Sequence, residues 1–275
     1  MLHKRLELWS ENYLKEHDVA GVPVMDTYVL DGERSRSAVL VCPGGGYGMT
    51  SSREAEAIAL QFNAVGYHAF VLYYSVAPNR HPQPLRDVSR AMCMIRDHAA
   101  EWNVDAERIA VCGFSAGGHL AASLGVHWGR TEWLDGAPGV EVGANRPNAL
   151  ILSYPVITSG EFAHQGSFNN LLGDQPDPAL LAAMSLETQV TAAATPPTFV
   201  WHTVEDQAVP VENALLFAGA LRSCGVPFEL HIYPDGPHGL SLATAETDNG
   251  VIGSYPHVAG WMKQCIAWLD GVLAK

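Results

Sequence analysis

The chain has 275 residues, of which 48% are hydrophobic, and this apolar content is typical of a globular protein with a substantial core. Its formal net charge of −13 at pH 7 argues against nucleic acid or an anionic membrane as a partner, because both require clustered lysines and arginines. Since the N-terminus has no apolar core of signal-peptide length and no later stretch is long enough to span a bilayer, we expect a cytoplasmic protein.

Short β-rich runs alternate with longer helical patterns along almost the whole chain. The predicted strands are apolar runs at residues 38–42, 68–74, 108–112, 149–154, 198–202 and 228–233. The predicted helices lie between and after these strands, at residues 52–64, 84–102, 116–122, 211–224 and 257–269. Continuous apolar strands separated by helices indicate an α/β fold with a mostly parallel sheet covered on both faces. A further strand at 24–30 is expected to run antiparallel at one edge of the sheet.

Two segments interrupt this alternation. Residues 126–147 contain several glycines and are expected to form a surface loop. Residues 155–197 form a longer insertion with a short helical patch at 178–184. Long insertions of this kind often serve as lids or pocket walls. Since no repeat, low-complexity tract or linker divides the chain, we expect a single domain over residues 1–275, with a small lid at about 155–197.

The five cysteines mostly lie inside apolar strand or helix patterns, at Cys42, Cys93, Cys112, Cys224 and Cys265. Their number is odd and their spacing is not that of a metal site. We therefore expect buried small hydrophobic side chains in a reducing compartment, and no metal.

The sequence Gly-Phe-Ser-Ala-Gly at 113–117 follows the predicted strand 108–112 and precedes a run of small residues typical of a helix. A strand, a sharp turn and a helix form the context of a nucleophile elbow, which presents a serine at a strained corner. Glycines flank that serine because side chains there would collide with the neighbouring strand and helix. Since the motif also arises by chance, Ser115 is a candidate nucleophile that needs support from the rest of the chain.

A serine hydroxyl needs a base to remove its proton and a further group to orient that base. Two later loops supply both, with Asp206 after the strand 198–202 and His238 after the strand 228–233. The carboxyl ends of strands are where ligands bind in open α/β sheets. The chain order Ser115, Asp206, His238 is that of α/β-hydrolases and differs from the order in other serine hydrolase folds.

Other residues compete for these roles. Glu205 adjoins the favoured acid, and spacing alone does not exclude it, whereas Asp235 is a weaker choice on the same loop as the base. Among the 12 histidines, His119 and His202 are expected in the packing or the pocket wall. Asp87 lies in a predicted helix, and we interpret it as a structural ion-pair partner.

Acyl transfer also needs hydrogen-bond donors for the oxyanion that forms during attack. Gly44, Gly45 and Gly46 follow the first predicted α/β strand, and glycines let backbone N–H groups turn toward a ligand. The N–H of Ala116, at the start of a helix, offers another donor. A nucleotide-binding loop is disfavoured, because neither the Gly-x-Gly-x-x-Gly pattern nor the P-loop lysine is present.

Several segments carry a family resemblance: Pro-Gly-Gly-Gly-Tyr at 43–47, Tyr-Ser-Val-Ala-Pro at 74–78, Gly-Phe-Ser-Ala-Gly-Gly-His at 113–119, and the tail segments 206–210 and 236–240. From about residue 39 onward, the chain resembles the α/β-hydrolase esterase/lipase group related to hormone-sensitive lipase. It is more closely similar to bacterial acetyl esterases of the acetylxylan-esterase and feruloyl-esterase type. The group has histidine where this chain has Pro43, and arginine where it has Ser75.

The resemblance implies a set of site residues: Ser115 as nucleophile, Asp206 and His238 as its partners, and N–H donors from Gly45, Gly46 and Ala116. Tyr47, beside the glycine loop, is expected to bind substrate.

We therefore expect a cofactor-independent serine esterase that works through an acyl-enzyme. The resemblance implies short-chain esters, foremost acetyl, on a soluble sugar such as an acetylated xylo-oligosaccharide. An amide-cleaving enzyme of the same fold, a peptidase or an arylformamidase, stays open because a triad does not reveal the scissile bond. A non-catalytic binding protein is the less favoured alternative. The sequence leaves the oligomeric state open, a homodimer included.

Overall fold

The computed structural model describes residues 1–274 and contains one eight-stranded sheet in that range. In chain order its strands are β1 (Arg5–Glu7), β2 (Val24–Tyr28), β3 (Arg36–Cys42), β4 (His68–Tyr73), β5 (Val104–Phe114), β6 (Ala149–Ser153), β7 (Thr198–Thr203) and β8 (Phe228–Tyr233). Across the sheet the order is β1-β2-β4-β3-β5-β6-β7-β8. Strands β3 to β8 are parallel, whereas β2 pairs antiparallel with β1 and β4. The predicted α/β class with a mostly parallel sheet is confirmed.

Helices cover the sheet on both faces. They are α1 (Glu11–Glu16), α2 (Glu56–Ala64), α3 (Gln83–Asp97), α4 (Ala99–Trp102), α5 (Ala116–His127), α6 (Thr131–Leu134), α7 (Gln165–Leu172), α8 (Pro178–Ala183), α9 (Glu212–Ser223), α10 (Pro256–Ala259) and α11 (Trp261–Leu273). Short 3₁₀ turns lie at Ser52–Glu54, Leu186–Thr188 and Ala245–Thr247. Helices α2 and α11 pack on one face, and α3, α5 and α9 pack on the other.

The central segments of the inner strands, such as residues 38–42 of β3, are apolar because both of their faces are covered. In β3, Val39 and Val41 pack toward α2 and α11, while Leu40 between them packs toward the opposite layer. All three side chains are fully buried. The continuous apolar runs in the sequence therefore reflect two cores, one on each side of the sheet.

The structure corrects several element predictions. The segment 24–30 does run antiparallel, but it is not the edge strand, because β1 pairs outside it. The predicted helix 84–102 is interrupted at His98, which separates α3 from α4. Inside the predicted loop 126–147 lies α6, and the insertion 155–197 contains α7 in addition to the expected helical patch. The single-domain assignment stays a prediction.

Four of the five cysteines are buried and Cys224 is half-buried, and all five are free thiols. Within residues 1–274, no helix combines the length and the apolar character needed to cross a bilayer.

Candidate active site

Ser115 lies at a sharp corner between β5 and α5. It has φ 53° and ψ −119°, a left-handed conformation that a non-glycine residue adopts only under constraint, and it is 6% exposed. A Cβ atom added at Gly117 would collide with the backbone carbonyl oxygens of Cys42 and Pro43, so only glycine fits there. The geometry is that of the nucleophile elbow that the motif predicts.

The structure brings Ser115, His238 and Asp206 into one hydrogen-bonded series. The distance from His238 Nε2 to Ser115 Oγ is 2.7 Å, and that from His238 Nδ1 to Asp206 Oδ2 is 2.6 Å. Asp206 and His238 lie on the loops that follow β7 and β8, at the same edge of the sheet as the elbow. Because each imidazole nitrogen has one partner, the ring is oriented with Nε2 toward the hydroxyl.

The second oxygen of Asp206 holds its own loop. Oδ1 accepts the N–H groups of Ala208 and Val209, each at 2.9 Å, and the side chain is fully buried. Burial alone would raise the pKa of Asp206, but the hydrogen bond to His238, the charge of that imidazole and the Val209 N–H lower the pKa below its ordinary value. The carboxyl is therefore ionised near neutral pH.

The competing acids lie elsewhere. Glu205 is exposed, and its carboxylate accepts the Gly236 N–H at 3.2 Å rather than contacting the imidazole. Asp235 is also exposed.

The ion-pair interpretation of Asp87 was wrong. Its buried carboxylate accepts hydrogen bonds from the Trp9 indole at 2.7 Å, the Ser75 backbone N–H at 2.7 Å and the Gln83 amide at 2.8 Å. Burial raises the pKa of Asp87 to about 6. Because its partners are neutral donors, the carboxylate ties α3 to the chain around it without a cation.

Several backbone N–H groups of the glycine loop have no hydrogen-bond acceptor within residues 1–274. The carbonyl of Gly45 accepts the Gly48 N–H at 3.0 Å and the Met49 N–H at 3.2 Å, and the chain passes Gly45 and Gly46 at φ 133° and 64°. Within residues 1–274, the N–H groups of Gly45, Gly46 and Ala116 donate to no protein atom. Such donors beside a nucleophile are suited to stabilise an oxyanion.

A cleft of about 300 Å³ opens over Ser115. It is lined by Gly45, Gly46, Met49, Ser51, Arg53, Glu54, Ser115, His164, His238, Gly239 and Ile252.

Tyr47, the expected substrate-binding residue, does not line this cleft. Its side chain is 2% exposed, and its hydroxyl lies 2.9 Å from His119 Nδ1 in the core. The residue has φ 57°, which turns the side chain inward from the loop. Tyr47 therefore supports the glycine loop from below, and the substrate-binding prediction is corrected.

His119 and His202 are packing residues. The Nε2–H of His119 donates to the Met184 carbonyl at 3.0 Å, and its Nδ1 accepts the Tyr47 hydroxyl at 2.9 Å. Burial lowers the pKa of both histidines to about 4, so both are neutral at pH 7. Neither lines the cleft around the elbow serine.

Three site residues escaped the sequence analysis: Glu54, Tyr154 and His164. Glu54 ends the 3₁₀ turn Ser52–Glu54, two residues before α2 begins, and an acidic residue near a helix start is expected simply because it complements the helix dipole. His164 lies in the insertion, and its Nδ1 accepts the Ser167 N–H at 3.3 Å. The Ser167 hydroxyl also lies 2.8 Å from Nδ1. With Nδ1 accepting both the N–H and the hydroxyl, the neutral ring carries its proton on Nε2, and burial lowers the pKa of His164 below its ordinary value. No sequence motif marks any of the three.

Comparison with known proteins agrees with the fold and the motifs. The BD-FAE family model matches residues 25–221. A solved acetyl ester-xyloside bifunctional hydrolase from Caldicellulosiruptor lactoaceticus is 42% identical, with a TM-score of 0.86 over 98% of this chain and 96% of that one. The carboxylesterase Cest-2923 from Lactobacillus plantarum is 29% identical, with a TM-score of 0.84 over the full length of both chains.

Two curated relatives are longer proteins. Endo-1,4-beta-xylanase B from Butyrivibrio fibrisolvens is 42% identical over 254 residues, covering 90% of this chain. An acetylxylan esterase from Xylanibacter ruminicola is 34% identical over 215 residues, covering 76% of this chain. The matches cover 40% and 42% of the length of those two proteins.

Proposed function

Because the chain belongs to the BD-FAE family and has the α/β-hydrolase fold, we propose that it is a serine carboxylic ester hydrolase that works through an acyl-enzyme. The observation that carries the proposal is the series from Ser115 through His238 to Asp206, next to three backbone N–H groups without protein acceptors. A nucleophile, a base, an orienting acid and oxyanion donors are the complete requirement of this chemistry.

In the proposed acylation step, His238 Nε2 removes the proton of Ser115 as Oγ attacks the ester carbonyl carbon. The oxyanion of the tetrahedral intermediate accepts hydrogen bonds from the N–H groups of Gly45, Gly46 and Ala116. The imidazolium then protonates the leaving alcohol, which departs and leaves the acyl group on Oγ.

Deacylation repeats the same proton transfers with water. His238 removes a proton from a water molecule that attacks the acyl carbon, and then returns the proton to Ser115 Oγ as the acid product leaves. Asp206 keeps the imidazole in the correct tautomer and stabilises the imidazolium in both steps.

We propose short acyl groups, foremost acetyl, on a soluble sugar as the substrate. The named activities of the acetylxylan esterase and of the acetyl ester-xyloside hydrolase support this class. The neutral His164 supports it as well, because its Nε2–H is a donor in the cleft lining that suits a hydroxyl-rich alcohol. The cytoplasmic location and a homodimer stay predictions.

The test is a series of p-nitrophenyl esters from acetate to decanoate, together with acetate release from acetylated xylo-oligosaccharides. We expect the highest kcat/KM for acetate, and loss of turnover in Ser115→Ala but not in Ser52→Ala, an exposed serine control. A preference for decanoate would overturn the acyl proposal. Faster cleavage of a matched amide than of its ester would favour the amidase alternative.

A fluorophosphonate probe tests the nucleophile directly. The wild-type protein should be labelled at Ser115, and Ser115→Ala should not be labelled. Absence of labelling in a folded wild-type protein would indicate a non-catalytic protein of this fold.

A further inference from the structure

A buried carboxylate lies directly behind the glycine loop. Glu54 is 3% exposed, its Oε2 accepts the Gly44 N–H at 2.8 Å, and its Oε1 accepts the Tyr154 hydroxyl at 2.6 Å. Both oxygens act as acceptors, which is the arrangement of an ionised carboxylate. Charge-assisted hydrogen bonds of this kind are stronger than those between neutral groups.

Tyr154 extends this contact to the loop that carries the base. Its hydroxyl oxygen accepts the backbone N–H of Ser241 at 2.8 Å, and Ser241 is three residues beyond His238. The rings of Tyr154 and His238 meet edge to face, with centroids 5.1 Å apart and planes at 72°. A second link runs alongside, because Ser241 Oγ donates to the Arg53 carbonyl at 2.6 Å.

The nucleophile packs against the same group of atoms. A Cβ atom added at Gly44 would lie 2.8 Å from Glu54 Oε2 and 2.9 Å from Ser115 Cβ. The loop backbone is thus held between the carboxylate and the serine with no space for a methyl group. A displacement of Glu54 would move the glycine loop relative to Ser115.

We propose that Glu54 is a positioning residue that holds the oxyanion loop, through Gly44, and the His238 loop, through Tyr154, in place around Ser115. The proposal rests on the proposed esterase function and deepens it. If the chain is an esterase as proposed, the position of Glu54 also predicts an electrostatic effect on His238. The charged or titratable groups that face Glu54 are Tyr74, Cys112, Tyr154, Arg53 and His238. Burial raises the pKa of Glu54 above its ordinary value, whereas the hydrogen bonds from Tyr154 and Gly44 act in the opposite direction. In its ionised form, a carboxylate near His238 favours the imidazolium that forms during both steps.

The test compares Glu54→Gln with Glu56→Gln, an exposed carboxylate two residues away on α2. For Glu54→Gln we expect kcat for p-nitrophenyl acetate to fall about 10- to 100-fold with KM changed less than about threefold. We also expect the acid limb of the kcat/KM–pH profile to move to lower pH, because removal of a negative charge disfavours the imidazolium. Glu56→Gln should keep the wild-type kcat and profile.

Tyr154→Phe is the second variant, and it decides the outcome if Glu54→Gln does not fold. It removes the hydrogen bonds of the Tyr154 hydroxyl to Glu54 and to the Ser241 N–H, so kcat should fall about tenfold. A kcat within threefold of wild type in every folded variant, with an unmoved acid limb, would overturn the positioning role.

Failure of the proposal and failure of the proposed function give different results. If the wild-type protein shows no Ser115-dependent hydrolysis, the esterase function fails. If the wild type is Ser115-dependent and Glu54→Gln is as active as Glu56→Gln, only the role of Glu54 fails.

Discussion

The substitution Asp206→Asn tests whether Asp206, rather than the adjacent Glu205, orients the imidazole of His238. In the wild type, Asp206 Oδ1 accepts the N–H groups of Ala208 and Val209 at 2.9 Å, and Oδ2 faces His238 Nδ1 at 2.6 Å. An asparagine oxygen should keep the position of Oδ1, since two N–H donors are directed at it. The amide NH₂ group is then forced to face His238.

That orientation reverses the imidazole tautomer. With an NH₂ donor opposite Nδ1, the ring accepts there and carries its proton on Nε2, which lies 2.7 Å from Ser115 Oγ. A protonated Nε2 cannot remove the serine proton. In serine hydrolases this wrong tautomer lowers kcat by about 10⁴, and we expect a loss of about 10³- to 10⁴-fold here, or about 4–5.5 kcal/mol of activation free energy.

The assay is steady-state hydrolysis of p-nitrophenyl acetate, with the thermal midpoint of unfolding measured in parallel. Because asparagine keeps both loop hydrogen bonds, the midpoint should move little. Glu205→Gln is the matched control, because Glu205 is exposed and its bond to the Gly236 N–H survives in the amide, so kcat should stay within about twofold. A kcat within tenfold of wild type in folded Asp206→Asn, or an equal loss in Glu205→Gln, would refute this reasoning.

Three further predictions concern stability. Gly117→Ala should destabilise the protein by several kcal/mol or prevent folding, because the added methyl group collides with the Cys42 carbonyl. Gly219→Ala, at an open position in α9, is the control and should raise the free energy of unfolding in urea by about 0.5–1 kcal/mol. Tyr47→Phe should cost about 1–2 kcal/mol through its lost hydrogen bond, and a raised KM would restore Tyr47 as a substrate contact. Burial lowers the pKa of His119 to about 4, so the folded protein holds this histidine neutral. The resulting contribution to stability is complete above about pH 6.5 and is lost as the pH falls toward 4. A thermal midpoint of unfolding that rises over this range on acidification would contradict the neutral, buried state of His119.

The three residues of the hydrogen-bonded series could be found from sequence because each follows a strand that is easily recognised. Ser115 follows β5, Asp206 follows β7 and His238 follows β8, and in a parallel sheet these ends meet at one edge. A motif and a chain order therefore sufficed to bring together residues that are 123 positions apart. The strand β1 was not predicted because three residues are too few to show an alternation of apolar and polar side chains.

The direction of a side chain was harder to predict than its position. Tyr47 adjoins the glycine loop in sequence, yet its ring lies in the core, 2% exposed, with its hydroxyl 2.9 Å from His119 Nδ1. Glu54 and Glu56 look equivalent at the start of a helix, yet one is 3% exposed and the other is exposed. Only Glu54 contacts Tyr154, which lies 100 positions away in the chain. The residues next to either glutamate therefore do not indicate which of the two is buried.

His164 lies in a different part of the chain from Glu54 and Tyr154. Glu54 and Tyr154 link the loops after β3, β6 and β8 from inside the protein. His164, in contrast, reaches the cleft from the insertion after β6, where it lies beside Gly46 without contacting either supporting residue through a hydrogen bond in residues 1–274. Substitution of His164 should therefore change the preference for the alcohol while leaving the geometry around Ser115 intact. Asn170, in the same insertion, differs because its amide donates to the Gly46 carbonyl at 2.8 Å and so holds the glycine loop.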